Sequence, residues 1–326
     1  MNRNGRLRGW GGVGGMALAC AAAASLLVPL SRHAAGGDGG QVGGSGVAQG
    51  VQAKADTCKD PEASLPPSSD DGPSIAKIKK AGKLVAGVDQ NSFRWGYRNP
   101  ATGRLEGFDI DLVRAIAKNI LGDPDAVIYR AIPTSQRVPA LQNHQVDVVV
   151  RTMTINCKRI GQVAFSSAYF TVGQQVLAPK ESTITGYNST LNGKKVCVAA
   201  GSTAYDALET QSYGAVYKDL TVPNQLDCLV RLQLGLADAV LTDSALAASQ
   251  AAQDPAVQLK GVPLTPEYYG VATNLANTDL VRRINQVLVD YRSGGADSPW
   301  MKAYREWLAA DLPGISGPPE PKYRSQ

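Results

Sequence analysis

Apolar residues recur along this chain in two alternating periods. Leu84-Val-Ala-Gly-Val88 is a short continuous run, the mark of a buried strand. From Phe108 to Leu121 the period lengthens, with Ile110, Val113, Ile116, Ala117 and Ile120 on one helical face and Gly122 ending it. Residues 127–129 and 146–150 read as strands, and residues 135–142 as a short helix between them. A helix over residues 74–80, capped by Ser74, precedes the first strand. A second set follows. Residues 195–199 form a strand that enters Ala200-Gly-Ser-Thr203 and then a helix. Residues 220–222 and 239–242 are strands flanking a helix over 225–235. Residues 268–272 return as a strand, and Asn277 or Thr278 caps a helix through residue 289. Residues 300–308 form the last helix, with Trp300, Tyr304 and Trp307 facing the core. Alternating strands and helices imply βαβ units and a mostly parallel sheet, an α/β fold.

The two sets echo each other. Leu141-Gln-Asn-His-Gln-Val-Asp-Val-Val-Val-Arg151 and Leu232-Gln-Leu-Gly-Leu-Ala-Asp-Ala-Val-Leu-Thr242 each read as helix end, turn, Asp, buried strand and polar exit. In open α/β sheets ligands sit at the carboxyl ends of strands. Two such ends, at Arg151 and Asp243, are expected to face each other across a cleft.

Outside the periodic body the chain changes character. Arg3, Arg6 and Arg8 precede an apolar run over residues 16–30, which is a targeting leader. Ala17-Leu18-Ala19-Cys20 allows lipidation at Cys20; an uncleaved anchor is the other reading. Both place the body outside the cytoplasm, tethered to the outer face of the membrane. Residues 1–31 are therefore leader. Residues 32–73, rich in Gly, Pro and Ser, are read as a flexible linker. The remainder of 326 residues, at 44% hydrophobic, suffices for one large or two small domains. A net charge of +5 without a Lys/Arg run excludes a nucleic-acid arm.

Four cysteines remain beyond Cys20, an even number suited to disulfides outside the cytoplasm. They allow three pairings. Cys197 with Cys228 is favoured, a strand against the start of a nearby helix, which leaves Cys58 to pin the linker to Cys157; free buried thiols are the alternative. No CxxC is present and the only histidines are His33 and His144, so neither a metal nor a cofactor is expected. Catalytic motifs are also missing: there is no nucleophile elbow, phosphate loop or Ser-His-Asp order.

The stretch from Arg151 to Phe165 carries the candidate chemistry. It sets Arg151 and Arg159 around a Thr-x-Thr turn, directly after an apolar strand. Arginine forks hold a carboxylate by paired hydrogen bonds, and free backbone N–H groups in the turn add to them.

From residue 75 to 308 the chain resembles bacterial extracellular solute-binding proteins of the polar amino-acid family, the type II periplasmic-binding fold. The matching segments are Val85-Ala-Gly-Val-Asp89, Gly107-Phe-Asp-Ile-Asp-Leu112, Arg137-Val-Pro-Ala-Leu-Gln142, Thr152-Met-Thr-Ile-Asn-Cys-Lys-Arg159, Phe165-Ser-Ser-Ala-Tyr169, Gly201-Ser-Thr203 and Ala237-Asp-Ala-Val-Leu-Thr-Asp243. Actinobacterial glutamate- and glutamine-binding lipoproteins of ABC importers are the nearest likeness. The resemblance implies two lobes joined by a two-strand hinge. Lobe 1 would be 75–176 plus 272–326 and lobe 2 180–266, with crossovers near residues 176–180 and 267–271. It implies Arg159 on the ligand α-carboxylate with Thr154 and Thr152, Asp243 on the α-ammonium, and Ser202 and Thr203 in the second lobe. Asp89, Arg151, Arg137 and Phe93 join the pocket, whereas Asp109 and Asp111 are helix-start residues favoured by the dipole. Three positions depart from the family: Thr134 replaces an aromatic clamp, Ala199 a lysine, and Thr242 a histidine. With surplus arginines, an anionic ligand side chain is expected. The expected function is a monomeric binding protein that captures glutamate, with aspartate or glutamine as alternatives, and hands it to an ABC permease. A ligand-sensing input for a membrane receptor would use the same pocket.

Overall fold

The computed structural model describes residues 58–325; the leader, Cys20 and most of the linker lie outside them. Two five-stranded sheets organise the body. The first runs Val127–Ala131, Leu84–Val88, Val148–Val149, Ala272–Asn274, Val163–Phe165, and the second Thr221–Val222, Val196–Ala199, Ala239–Asp243, Gln174–Pro179, Val257–Lys260. The sheets are mixed rather than mostly parallel. Strands linked by βα crossovers pair in parallel. Those supplied by chain passing between the sheets, Gln174–Pro179 and Ala272–Asn274, pair antiparallel.

Each sheet has its own core. Leu84, Ala86 and Val88 meet Phe108, Ile116, Leu280, Ile284 and Trp300 on one side of the first. The predicted face of helix Phe108–Leu121 is the buried one, and Gly122 closes it in the left-handed region, at φ 78°. Val176, Val196, Val198, Ala239 and Leu241 meet Leu208 in the second. Between the sheets, Phe170–Val172 pairs antiparallel with Glu267–Tyr269. The first passage therefore falls at residues 170–173, ahead of the predicted 176–180, because the apolar strand Gln174–Pro179 belongs wholly to the second sheet.

Two disulfides are present. Cys197–Cys228 joins strand Val196–Ala199 to helix Gln225–Gln233, with Cα atoms 5.4 Å apart. Cys58–Cys157 ties the upstream segment to the first residue of helix Cys157–Ile160, at a Cα separation of 5.8 Å. The end of the predicted linker is itself held on the body. Ser64 Oγ donates to the Phe165 carbonyl at 2.7 Å, and Asn285 Nδ2 donates to Ser64 Oγ and to the Leu65 carbonyl. Arg283 pairs with Asp71 at 2.7 Å. Composition misses this docking because it runs through the backbone: the Pro66 carbonyl accepts from Arg282 on helix Thr278–Arg292.

Candidate functional site

The threonine turn is built from a buried acid. Thr152 sits at φ 41°, a conformation that is costly for a β-branched residue. Its N–H donates to Asp109 Oδ2 at 3.0 Å, and Tyr169 Oη donates to Asp109 Oδ1 at 2.8 Å. Asp109 thus does more than start a helix: from 43 residues away it holds the turn that aims the arginines. Burial pushes its carboxyl up to about 7, against the pull of the Tyr169 hydroxyl. A carboxyl raised in the folded state contributes stability when protonated and loses it as pH rises through that value. The melting temperature is therefore expected to fall as pH rises from about 4, the ordinary carboxyl value, to about 7, and Asp109→Asn to reduce that slope. Differential scanning calorimetry across pH checks this; an unchanged slope in Asp109→Asn refutes it.

Three buried arginines converge above this turn. Arg151, with no exposed surface, pairs with Asp89 at 2.9 Å and donates to Thr134 Oγ1 at 2.9 Å and Asn224 Oδ1 at 3.1 Å. Asp89 is in turn fixed by the N–H groups of Gln90 and Asn91 and by Ser92 Oγ. Arg159 donates to the Thr154 carbonyl at 2.6 Å and the Gly201 carbonyl at 3.0 Å. Arg137 donates to the carbonyls of Thr134, Arg151, Thr152 and Gly201. Among the described residues no ion pair reaches Arg137 or Arg159. Burial, then the neighbouring guanidiniums, penalises the charge on Arg137, and burial penalises that on Arg159.

One buried and one half-buried carboxylate answer them from the other side. Asp243, at the end of strand Ala239–Asp243, accepts from Tyr269 Oη at 2.6 Å and from the Gln174 amide. Glu267 Oε2 accepts from Thr154 Oγ1 at 2.9 Å, Thr203 Oγ1 at 2.9 Å and Gln174 Nε2 at 3.1 Å. Burial raises both carboxyls above their usual range. Ser202 caps helix Thr203–Thr210 and donates to the Ala199 carbonyl. Glu267 is absent from the residues predicted for the site. In strand Glu267–Tyr269 the side-chain period of two puts it on the same face as Tyr269, which is the feature that marks it.

The second sheet's loops close directly onto the first sheet's. Gly201 lies at φ 72°, and a Cβ there would stand 3.0 Å from Ser135 Cα. Thr134, in the clamp position, donates its hydroxyl to Gln225 Oε1 at 3.1 Å while accepting from Arg151. Lys158 and Asp206 pair at 3.3 Å across the rim. Arg137, Arg159 and Gly201 line one groove, whereas Phe93 lines a separate one with Tyr97, Leu226 and Gln253. Phe93 is stacked edge-on by Tyr97 at 5.2 Å and covered by the Arg94 guanidinium at 5.0 Å.

The chemistry follows from the partners. Arg137 and Arg159 are buried cations bonded only to neutral carbonyls, and the buried Asp243 and half-buried Glu267 are acids bonded only to hydroxyls and an amide. Unpaired buried charge is costly, and a zwitterion supplies both missing signs. No His/Cys/Asp/Glu group among the described residues could hold a metal, and no described helix is long and apolar enough to cross a membrane.

Known proteins match this arrangement. The family model for bacterial extracellular solute-binding proteins, family 3, matches residues 84–310. The ABC transporter glutamine-binding protein GlnH of Bacillus subtilis is 35% identical over 237 residues, 73% of this chain and 85% of the relative. The L-glutamate/L-aspartate-binding protein of Pseudomonas aeruginosa is 26% identical over 249 residues, 73% of this chain and 81% of the relative. Among solved structures, an ancestral arginine-binding protein bound to glutamine aligns with TM-score 0.63 and 33% identity, covering 70% of this chain and 98% of that one. The chain therefore belongs to the bacterial extracellular solute-binding proteins, family 3: it is an amino-acid-capturing, non-enzymatic component of an ABC importer, with two lobes of the type II periplasmic-binding fold.

Proposed function

We propose that the chain captures a net-neutral polar amino acid, glutamine before glutamate, between its lobes. Arg159 grips the α-carboxylate, with Thr154 and the Thr152 turn behind it, and Asp243 holds the α-ammonium. The carrying observation is the charge count. Arg151 is already neutralised by Asp89, so it leaves no surplus for an anionic side chain. What remains is two cations, Arg137 and Arg159, facing two carboxylates, Asp243 and Glu267. The expectation of glutamate rested on surplus arginines, and Glu267 removes that premise. The glutamine-binding name of the 35% relative points the same way.

In this reading lobe 1 is 75–169 with 270–326, lobe 2 is 174–266, and the pair Phe170–Val172 and Glu267–Tyr269 is the hinge. Leader and linker tether the body to the outer face of the membrane. Calorimetry with glutamine, glutamate and aspartate tests the reading. Glutamine is expected to bind at least about tenfold tighter than glutamate, a difference of ~1.4 kcal/mol. Tighter glutamate would restore the anionic-ligand assignment, and no binding by any of the three would overturn the site.

A further inference from the structure

Glu267 occupies a position with more order than a loop acid needs. The antiparallel register sets it opposite Val172, so it projects beside Gln174 at the start of the next strand. Three side chains from three separate segments, Thr154, Thr203 and Gln174, all donate to its one oxygen, Oε2. The Gln174 amide also donates to Asp243 and to Thr203 Oγ1 at 2.9 Å, so one nitrogen stands between the two carboxylates. Gln174 is 2% exposed, and its Oε1 is a buried acceptor with no hydrogen-bond partner. Asp243, Glu267 and Gln174 Oε1 together make a cluster of acceptors, and an ammonium group carries three protons to donate.

We propose that Glu267 is the specificity residue that sets the ligand's charge: with Asp243 it makes the ammonium pocket doubly anionic and so disfavours amino acids with a side-chain carboxylate. This rests on the reading of the cleft as an α-amino-acid site. The charged and titratable groups facing Glu267 are Asp243 from strand Ala239–Asp243, Arg159 from helix Cys157–Ile160 and Tyr269 on its own strand. Arg137 acts on Asp243, and Asp206 on Arg159, from the adjoining helices. Burial, and then the charge of Asp243, hold the Glu267 carboxyl above its usual range. A ligand carboxylate adds a further negative charge to the same cleft and drives a proton onto Glu267. Glutamate capture therefore takes up a proton, and glutamine capture does not. The sign follows: glutamate affinity rises as pH falls, by at most about tenfold per pH unit, while glutamine affinity stays level.

The test is calorimetry on the full chain and on Glu267→Gln, which keeps the volume and an acceptor oxygen for Thr154 and Thr203. The glutamine-to-glutamate affinity ratio is expected to fall at least about tenfold in Glu267→Gln, chiefly by tightening glutamate. Titrations of the unmutated protein in buffers of differing ionisation enthalpy give the proton count without any variant. About one proton taken up with glutamate and none with glutamine is expected from the single carboxyl invoked. An unchanged ratio, or equal proton counts for the two ligands, overturns the role of Glu267 while leaving the amino-acid site standing. Binding of neither ligand by the unmutated protein overturns the site itself, and the role of Glu267 with it.

Discussion

Replacing Arg159 with alanine is expected to weaken amino-acid binding at least about a hundredfold. Truncating one member of a buried charge pair costs about 3–5 kcal/mol, and each ~1.4 kcal/mol is tenfold in affinity. The fork of Arg159 spans the cleft, reaching the Thr154 carbonyl on one side and the Gly201 carbonyl on the other. A ligand carboxylate would replace these neutral acceptors with a charged one, and its bonds would be shorter and stronger. Arg159→Lys should recover only part of the loss, because a compact ammonium cannot offer two parallel donors. The fold should survive, since helix Cys157–Ile160 is still capped by Asn156 and tied down by Cys157. Isothermal titration with glutamine, alongside a melting curve, checks both statements. Near-wild-type affinity in a folded Arg159→Ala protein would remove Arg159 from the site.

How much of this was legible in the residues depends on the range of each interaction. Helix Phe108–Leu121 and strand Leu84–Val88 declare themselves because their apolar period is local and their neighbours are apolar too. The Thr-x-Thr turn with Arg151 and Arg159 stands out for the same reason: the donors lie within nine positions of one another. Cys197–Cys228, favoured from strand and helix placement, is one of the two bonds present, and Cys58–Cys157, the pair that choice leaves, is the other. Long-range partners were less readable. Asp109 has a satisfactory local role at a helix start, which hides its bond to Thr152. Glu267 follows Thr265-Pro266, where an acid reads as an exposed turn; only the pairing with Phe170–Val172 turns it inward. Arg151 is buried next to the turn, but its charge is committed to Asp89, 62 residues away. Each of these long-range partners concerns the sign and placement of charge, which is why the proposed ligand differs from the expected one while the fold and the family do not.

Arg151 itself carries the second large prediction, and it concerns stability before binding. Arg151→Ala is expected to destabilise the protein by about 3–5 kcal/mol, because it leaves Asp89, only 5% exposed, without a counter-charge. It also removes the donors to Thr134 Oγ1 and Asn224 Oδ1, two groups drawn from opposite sides of the cleft. The N–H groups of Gln90 and Asn91 and the Ser92 hydroxyl still hold Asp89, so the loss should fall toward the lower end of that range. Removing both charges should be milder: Arg151→Met with Asp89→Asn fills the volume and buries no net charge, so the double variant should regain most of the stability lost by the single one. Urea denaturation of the wild type, Arg151→Met, Asp89→Asn and the double variant gives the coupling directly. Affinity separates the roles. If Arg151 is an internal partner of Asp89, the double variant keeps glutamine binding within about tenfold of wild type, whereas Arg159→Ala does not. A large loss of affinity with unchanged stability would instead put Arg151 on the ligand, and with it the surplus positive charge that an acidic amino acid requires.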